Sequence, residues 1–297
     1  MFFSIVIPTY NRSKLITGTI QSVLMQSYPH FEILVIDDGS TDNTEEVVNS
    51  ISDKRIRYFK KANEERAAAR NYGTMRAKGH YITFLDSDDI LSPNFLKEAL
   101  AMCDRENNPE WFHIRYMITD DMDNVLARKH IYNNNDPNKR LFYEGNFISC
   151  IGVFLRKDIA LENLFNEDRR LTISEDHELW MRLAIKYPLK INKLVSAKLI
   201  QHDHRSVGNR DVSGLILCKE ISLEIVFSNP ASREYIRGHE GQVIASSYSY
   251  ISLHMALTGQ LKLQAISYTL KAIKSDPAYL FTRRFLATIK HLLFTYS

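Results

Sequence analysis

The stretch Tyr81-Ile82-Thr83-Phe84-Leu85-Asp86-Ser87-Asp88-Asp89 decides the fold. Its first five residues are apolar, aromatic or β-branched, which predicts a buried strand. Side chains alternate along an extended chain, so Asp86 and Asp88 leave the strand end on the same side. Like charges there repel each other unless a cation lies between them, and carboxylate oxygens suit Mn²⁺ or Mg²⁺. The other interpretation is a solvated acidic turn that begins the next helix.

Three further strands precede this stretch, with helical segments between them. Short apolar runs predict the strands at Ser4–Ile7, Glu32–Ile36 and Ile56–Phe59. Strict alternation of strand and helix predicts an α/β fold, with a parallel sheet and helices on both of its faces.

Polar residues follow three of these strands at their carboxyl ends. They are Thr9, Tyr10 and Asn11 after the first strand, Asp37 and Asp38 after the second, and Asp86, Ser87 and Asp88 after the fourth. Ligands of parallel sheets bind at this edge, so the sequence predicts a nucleotide-phosphate site there. Neither G-x-G-x-x-G nor G-x-x-x-x-G-K-[ST] follows the first strand, which disfavours a dehydrogenase and a P-loop NTPase. A metal and basic side chains are then expected to hold the phosphates.

The composition is that of an ordinary globular chain. Of 297 residues, 44% are hydrophobic and 25% are charged, and the formal net charge is +3. The three cysteines, Cys103, Cys150 and Cys218, lie far apart, which predicts reduced thiols and a cytoplasmic location. We expect neither a signal peptide nor a membrane span, because the first residues lack a basic leader and no apolar run is long enough.

Four motifs, in this order and at this spacing, resemble those of glycosyltransferase family 2. They are Val6-Ile7-Pro8-Thr9-Tyr10-Asn11-Arg12, Val35-Ile36-Asp37-Asp38-Gly39-Ser40-Thr41-Asp42, Ala69-Arg70-Asn71-x-Gly73 and Phe84-Leu85-Asp86-Ser87-Asp88-Asp89. The resemblance is strong from Phe3 to Phe95 and thinner as far as Ser206. It implies the GT-A fold, a mostly parallel sheet flanked by helices, and an inverting transfer of a sugar from a nucleotide-sugar.

The resemblance implies that the residues after the first two strands bind the nucleotide base. Pro8 and Tyr10 would line the base pocket, with Tyr10 stacking on the uracil, and Asn11 is expected to bind the nucleotide. Asp38 would accept a hydrogen bond from the base. A carboxylate at that place favours an N–H donor such as uracil N3, and hence a UDP-sugar.

The same resemblance assigns the phosphate and metal side. Arg70 is similar to a family arginine near the nucleotide, and its planar, permanently charged guanidinium suits such contacts. Asp86 and Ser87 are expected to contact the nucleotide, Asp86 through the ribose or a metal-bound water. Asp88 would be the direct ligand of Mn²⁺ or Mg²⁺, which neutralises charge on the leaving diphosphate.

The segment Ser174–Leu183 resembles the acceptor side of the family. Asp176 matches the general base, and a helix N-terminus would stabilise its charged form. Glu175 and Trp180 are expected beside the acceptor. The alternative is that Glu175 and Asp176 only complement the helix dipole.

A histidine pair follows the next predicted strand. His204 matches a family histidine that approaches the metal or the diphosphate, whereas His202 stands where the family has an arginine. The second departure is Val207, where the family has a serine, and together they leave a phosphate role for this loop open. A zinc site at the pair lacks a third ligand nearby.

Beyond Leu215 the sequence predicts only helices. The expected division is a GT-A domain over residues 1–214, with a nucleotide half at 1–105 and an acceptor half at 106–214, and a helical region over 215–297. Residues 260–297 hold six Lys or Arg and one Asp. This basic segment favours contact with an anionic membrane surface, and a solvated helical face, core packing or a homo-oligomer contact explains it as well.

The sequence therefore predicts a metal-dependent inverting glycosyltransferase of surface polysaccharide biosynthesis. Its donor would be a UDP-sugar and its acceptor a glycan or a lipid-linked glycan. A sugar-phosphate nucleotidyltransferase and a non-catalytic sugar-nucleotide-binding protein are the alternatives. Nucleic acid is not an expected partner, because the chain before residue 260 is slightly acidic and carries no known nucleic-acid-binding module.

Overall fold

The computed structural model describes residues 1–128, 136–202, 212–259 and 261–294. The chain forms two compact units. We call them the sheet unit, which comprises Met1–Asn134, Phe147–Leu179 and Lys186–Arg205, and the helical unit, which comprises Asn135–Asn146, Trp180–Ile185 and Ser206–Ser297. The domain boundary expected at residues 214 and 215 remains a prediction.

The strands all belong to the sheet unit. Within the described ranges they are β1 (Phe3–Thr9), β2 (Phe31–Asp37), β3 (Ile56–Lys60), β4 (Tyr81–Phe84), β5 (Ile90–Leu91), β6 (Trp111–Thr119), β7 (Val125–Arg128), β8 (Val153–Arg156) and β9 (Lys190–Ile200). They form one sheet in the order β3-β2-β1-β4-β8-β6-β9-β5, with β7 paired to β6.

The part of the sheet that holds the predicted site is parallel, as the alternating pattern predicts. β1 pairs in parallel with β2 and β4, and β2 with β3. Every residue of β1 and β2 is buried, as expected for parallel strands covered on both faces. Beyond β4 the pairing is mixed, because β8 runs antiparallel to β4 and β6 while β9 runs parallel to β6.

The described helices, in chain order, are α1 (Ile16–Leu24), α2 (Thr44–Asn49), α3 (Glu65–Arg76), α4 (Phe95–Arg105), α5 (Pro137–Tyr143), α6 (Lys157–Glu162), α7 (Glu175–Lys186), α8 (Val212–Ser228), α9 (Pro230–Tyr235), α10 (Glu240–Thr258), α11 (Lys262–Ser275) and α12 (Arg283–Phe294). Short 3₁₀ helices lie at Arg169–Leu171 and Pro277–Phe281. The helices α1–α4 and α6 belong to the sheet unit, α5 and α8–α12 belong to the helical unit, and α7 has residues in both.

Aromatic side chains fill the centre of the sheet unit. The rings of Phe112 and Phe154 stack with centroids 4.8 Å apart, and Phe95, Phe3 and Tyr81 surround the pair at 5.2 to 5.7 Å. All five side chains are buried. Such ring pairs contribute more to stability than the burial of their apolar area alone. They therefore hold β1, β4, β6, β8 and α4 together.

The helical unit is built on the antiparallel contact of α10 with α11. The Ser252 hydroxyl donates to the Ala265 carbonyl at 2.7 Å and also bonds Thr269. Gly259 ends α10 at φ +68°, a left-handed conformation that glycine adopts without steric cost. Among the helices in the described part of the chain, none has the length and apolar character needed to cross a lipid bilayer.

Candidate active site

The strand ends that the sequence singles out meet at one edge of the sheet. Thr9 at the end of β1 lies opposite Asp37 at the end of β2. Phe84, the last residue of β4, pairs with Val6, and the Leu85 amide donates to the Val6 carbonyl at 3.0 Å. The acidic residues after β4 therefore start beside the carboxyl-terminal half of β1.

Three carboxylates form a cluster just beyond β4. One oxygen from each of Asp86, Asp88 and Asp89 lies within 4.8 Å of the others. Metal–oxygen bonds of hard divalent ions are about 2.0–2.6 Å long, so a single ion can bridge oxygens at such separations. The donor set therefore fits Mg²⁺ or Mn²⁺.

The three carboxylates differ in accessibility. Asp89 is 1% exposed and accepts a hydrogen bond from the Ile200 amide at 3.0 Å, which attaches β9 to this edge. The side chains of Asp86 and Asp88 are more open, at 27% and 10% exposure. Asp86 and Asp88, the two residues predicted from strand alternation, are thus the more open pair, and Asp89 supports the edge.

Arg70 connects this cluster to another part of the sheet unit. Its guanidinium is 2% exposed and donates to Asp86 Oδ1 and to Glu175 Oε1, each at 2.8 Å. Burial acts to lower the pKa of Arg70, but the carboxylates of Asp86 and Glu175 raise it well above its ordinary value. The guanidinium is therefore a permanent buried cation between two carboxylates, and it also lies over the Phe165 ring.

The start of α7 carries the predicted base. Glu175 is 4% exposed and pairs with Arg70, while Arg66 lies 3.9 Å away. Asp176 is half-buried, and its Oδ1 accepts from the His177 amide at 2.7 Å, as is common at a helix N-terminus. Trp180 is fully buried, so its side chain packs in the interior instead of presenting a surface to an acceptor.

Asp38 is held by the start of α3. Its carboxylate accepts from Lys61 Nζ at 2.8 Å and from the amides of Glu64 and Glu65 at 3.0 and 2.8 Å. Asp38 is 4% exposed. The predicted base-binding residue therefore also orders a helix N-terminus, and Lys61 neutralises its charge. Sequence reasoning missed Lys61, whose only signal is a basic residue one position beyond β3.

The loop after β1 exposes the side chain of Tyr10 to solvent and bonds to the loop after β2 through the side chain of Asn11. Tyr10 is 46% exposed, whereas Pro8 and Ser87 are buried. Asn11 adopts φ +51°, and its side-chain oxygen Oδ1 accepts a hydrogen bond from the Thr41 amide at 2.8 Å. Asn11 therefore joins the loop after β1 to the loop after β2.

His202 lies beside the carboxylate cluster, although sequence reasoning noted it only as a departure from the family pattern. Its Nε2 lies 3.2 Å from Asp88 Oδ2, and its side chain is 13% exposed. The predicted metal-side histidine, His204, lies outside the described residues. The signal that favours His202 was present in the sequence, because a His-x-His pair follows directly on a strand of the same sheet.

Comparison with known proteins identifies relatives for the sheet unit. Residues 4–164 match the family model described as "Glycosyl transferase family 2". An uncharacterized glycosyltransferase of Rickettsia bellii is 44% identical over 211 residues, which cover 69% of this chain and 30% of that protein. This chain spans 30% of the length of two other Rickettsia relatives as well.

Two Escherichia coli proteins match over more of their own length. The putative colanic acid biosynthesis glycosyl transferase WcaA is 30% identical, with 69% of this chain and 74% of WcaA covered. WfgD, named UDP-Glc:alpha-D-GlcNAc-diphosphoundecaprenol beta-1,3-glucosyltransferase, is 35% identical, with 61% of this chain and 68% of WfgD covered.

Solved structures show the same fold. TarS 1-349 of S. aureus in complex with UDP-GlcNAc superposes with a TM-score of 0.69 at 20% identity, covering 98% of this chain and 88% of that one. The mannosyltransferase PcManGT of Pyrobaculum calidifontis, in complex with GDP-Man and Mn2+, gives a TM-score of 0.58 at 15% identity, with 98% and 86% covered. The α/β architecture is that of GT-A proteins, as the sequence predicts.

Proposed function

The chain belongs to glycosyl transferase family 2, and from this membership we propose that it is a metal-dependent, inverting glycosyltransferase that uses a UDP-sugar. The observation that carries the proposal is Arg70, which joins the carboxylate cluster after β4 to the start of α7, where Asp176 lies. A donor site and a base site are thereby held at a fixed separation within one unit, as group transfer requires.

The acceptor we propose is a glycan or lipid-linked glycan of surface polysaccharide biosynthesis. The names of WcaA and WfgD support this, since one refers to colanic acid and the other to a diphosphoundecaprenol-linked sugar. The relatives are named as transferases, which favours transfer over nucleotidyl transfer or simple binding. Three buried free thiols support a cytoplasmic location, because such thiols persist in reducing compartments.

On the donor side, Tyr10 and Asp38 would hold the uracil. Tyr10 is exposed at the rim, so its ring is available for stacking on a base. A carboxylate offers about four acceptor positions, so Asp38, with its three hydrogen bonds within the protein, is able to accept one more from an N–H group of the base. The bonds to the start of α3 fix the orientation of that carboxylate before the donor binds.

At the diphosphate, Asp88 and Asp86 would hold Mn²⁺ or Mg²⁺, with His202 beside Asp88. When bound, such an ion supplies Lewis-acid stabilisation of negative charge on the departing diphosphate. The structure of PcManGT in complex with GDP-Man and Mn2+ supports a divalent ion in this fold. Arg70 keeps Asp86 in place and would balance part of the negative charge of the cluster when no ion is bound.

On the acceptor side, Asp176 would take the proton of the acceptor hydroxyl as that oxygen attacks the anomeric carbon. The bond to the UDP oxygen breaks on the opposite face, so one base and one displacement invert the anomeric centre. Glu175, which pairs with Arg70, positions the start of α7 and is not itself open to the acceptor.

A thermal-unfolding panel tests the donor. UDP with Mn²⁺ at a hundred times the Kd adds about 2.7 kcal/mol, which should raise the unfolding midpoint by about 4 °C in a chain of 297 residues. Asp88→Asn should abolish the Mn²⁺-dependent shift, whereas Asp104→Asn, at an exposed aspartate on α4, should leave it intact. Protection by GDP without protection by UDP would overturn the donor assignment.

A single substitution tests the base. Asp176→Asn should keep UDP–Mn²⁺ protection and lower the transfer rate by about 10²–10⁴, because it removes only the proton acceptor. Glu162→Gln, at an exposed carboxylate of α6, is the matched control and should transfer at the wild-type rate. Wild-type transfer by Asp176→Asn would remove Asp176 as the base.

A further inference from the structure

The helical unit carries apolar side chains on the side of α11 that faces solvent. Leu263, Ile266 and Leu270 are 84%, 44% and 60% exposed, and their spacing places them on one helix face. The opposite face of α11 is already buried through Ala265 and Ala272. The exposed apolar residues are therefore not required for packing α11 into the helical unit.

The same character continues through the segment that follows. Phe281, at the end of the 3₁₀ helix, is 90% exposed. On α12, Leu286 and Leu293 are 64% and 66% exposed, and Phe294 is 69% exposed. Soluble proteins rarely expose so many large apolar side chains within one short segment. Their exposure here indicates an interaction surface.

Cations alternate with these apolar residues. On α12 the exposed residues Arg283, Leu286, Lys290 and Leu293 follow one another on a single face, at spacings of three or four positions. On α11, Lys271 and Lys274 are exposed as well. Asp276 is the single acidic residue of positions 260–297, and its side chain accepts from the Ala278 amide at the start of the 3₁₀ helix.

Not every cation of this segment belongs to that surface. Arg284 is half-buried and donates to the carbonyl oxygens of Ser246 and Glu144 at 3.0 and 2.9 Å. Burial lowers the pKa of Arg284. Arg284 therefore holds the helical unit together, and the solvent-facing charge comes from the residues named above.

We propose that the helical unit docks on an anionic lipid bilayer through the exposed apolar and basic residues of α11, the 3₁₀ helix Pro277–Phe281 and α12. Apolar side chains enter the boundary between headgroups and acyl chains, while Lys and Arg reach lipid phosphates at the surface. This arrangement places each kind of side chain at the depth that suits it. A second copy fits less well, since a two-fold contact would bring two basic surfaces together.

Flotation with lipid vesicles tests the proposal on the full chain. Vesicles of equal phosphatidylglycerol and phosphatidylcholine should carry the protein at low salt and release most of it at high salt, because salt screens the attraction. Vesicles of phosphatidylcholine alone should carry little. Equal binding to both vesicle types, or no binding to either, would overturn the proposal.

Charge reversal locates the surface. A triple variant should lower the vesicle partition coefficient by about a hundredfold or more; it combines Lys271→Glu, Lys274→Glu and Lys290→Glu. The matched control reverses three exposed lysines of the sheet unit, Lys54, Lys97 and Lys193, and should retain binding. Equal loss in both triple variants contradicts a specific surface, as does unchanged binding in the first.

The apolar contribution is measured separately. A variant with three apolar residues replaced should bind the mixed vesicles more weakly; it combines Phe281→Ser, Leu286→Ser and Leu293→Ser. Its control replaces two exposed apolar residues of the sheet unit and should bind as the wild type does; it combines Met122→Ser and Leu126→Ser. Sedimentation completes the test: a dimer that dissociates in the serine or glutamate variants, without vesicle binding by the wild type, would assign the surface to a second copy. Protection by UDP is read in parallel and should be unchanged in every variant.

Discussion

At the scale of single residues, Arg70 contacts carboxylates that are far apart in the chain. Asp86 lies just after β4 and Glu175 opens α7, yet both are 2.8 Å from its guanidinium. A buried cation with two carboxylate partners is costly to remove, because each carboxylate then loses a cation at 2.8 Å. The planar guanidinium serves both partners at once, which the point charge of lysine does not.

We expect Arg70→Met to lower the free energy of unfolding by about 3–5 kcal/mol, the usual cost of breaking a buried ion pair. Arg70→Lys should fold with a smaller loss but transfer sugar about a hundredfold more slowly, since a displacement of about 1 Å in a site has that effect. The KM for the donor should change less than kcat. Arg76→Lys, at the other end of α3, is the control, and a wild-type kcat in Arg70→Lys would contradict a positioning role.

At the scale of elements, α3 packs directly on the sheet through a glycine. A Cβ added at Gly73 would lie 2.4 Å from Val6 Cγ1 and 3.2 Å from Ile36 Cγ1. The helix therefore approaches β1 and β2 as closely as a backbone without side chain allows. This approach also brings Arg70, one turn earlier on the same helix, within reach of Asp86.

Gly73→Ala should destabilise the protein, although alanine is the better helix former. Overpacking costs about 1–3 kcal/mol, which exceeds the helix-propensity gain of about 1 kcal/mol. Gly18→Ala is the matched control on α1, where a Cβ meets only Ile90 Cδ1 at 3.8 Å, and it should stabilise the protein. Denaturant unfolding of both variants checks the signs, and stabilisation by Gly73→Ala would contradict this packing.

The start of α2 gives a pH prediction. Burial acts to raise the pKa of Asp42, but hydrogen bonds from Thr44 and Ser13 outweigh it and lower the pKa to about 2. Since the unfolded value is about 3.9, this stabilisation is complete above pH 4 and is lost as the pH falls toward 2. Asp42→Ala should cost about 1 kcal/mol near neutral pH, as for the loss of a helix cap. Its unfolding curve should converge with that of the wild type between pH 4 and pH 2, and a constant difference would contradict the assignment.

At the scale of the whole molecule, the thiols are distributed over both units and buried in each. Cys103 and Cys150 lie in the sheet unit and Cys218 in the helical unit. Burial raises the pKa of Cys103 to about 12 and raises that of Cys150 as well. All three thiols are therefore shielded from reagents in the folded protein, and Cys103 and Cys150 also resist forming the reactive thiolate.

We therefore expect the thiol reagent DTNB to modify the native protein only as fast as it unfolds. In guanidinium chloride all 3 cysteines should react at once, which provides the control. Reducing agent should leave the unfolding midpoint unchanged, because the described cysteines form no disulfide. A thiol that reacts rapidly at neutral pH without denaturant would show that one unit opens independently.

Sequence reasoning worked well where the physical cause is local. The alternation of β1, α1, β2, α2 and β3 follows from apolar runs and helical periodicity over a few residues, and the structure has these elements. The acidic residues after β4 could be assigned to a cation because strand alternation places Asp86 and Asp88 together, and their oxygens do lie close.

The rest depended on partners distant in sequence, which local patterns do not encode. Sequence reasoning assigned Arg70 and Asp38 to the nucleotide, an assignment that remains a prediction, but it did not predict that Arg70 pairs with Glu175 and Asp86 or that Asp38 bonds to Lys61 and the start of α3. The sequence by itself determined the family, the alternating elements and the acidic strand end. Only the tertiary structure decided which charges meet, because side chains separated by a hundred residues are paired by the packing of helices on the sheet and not by their neighbours in the chain.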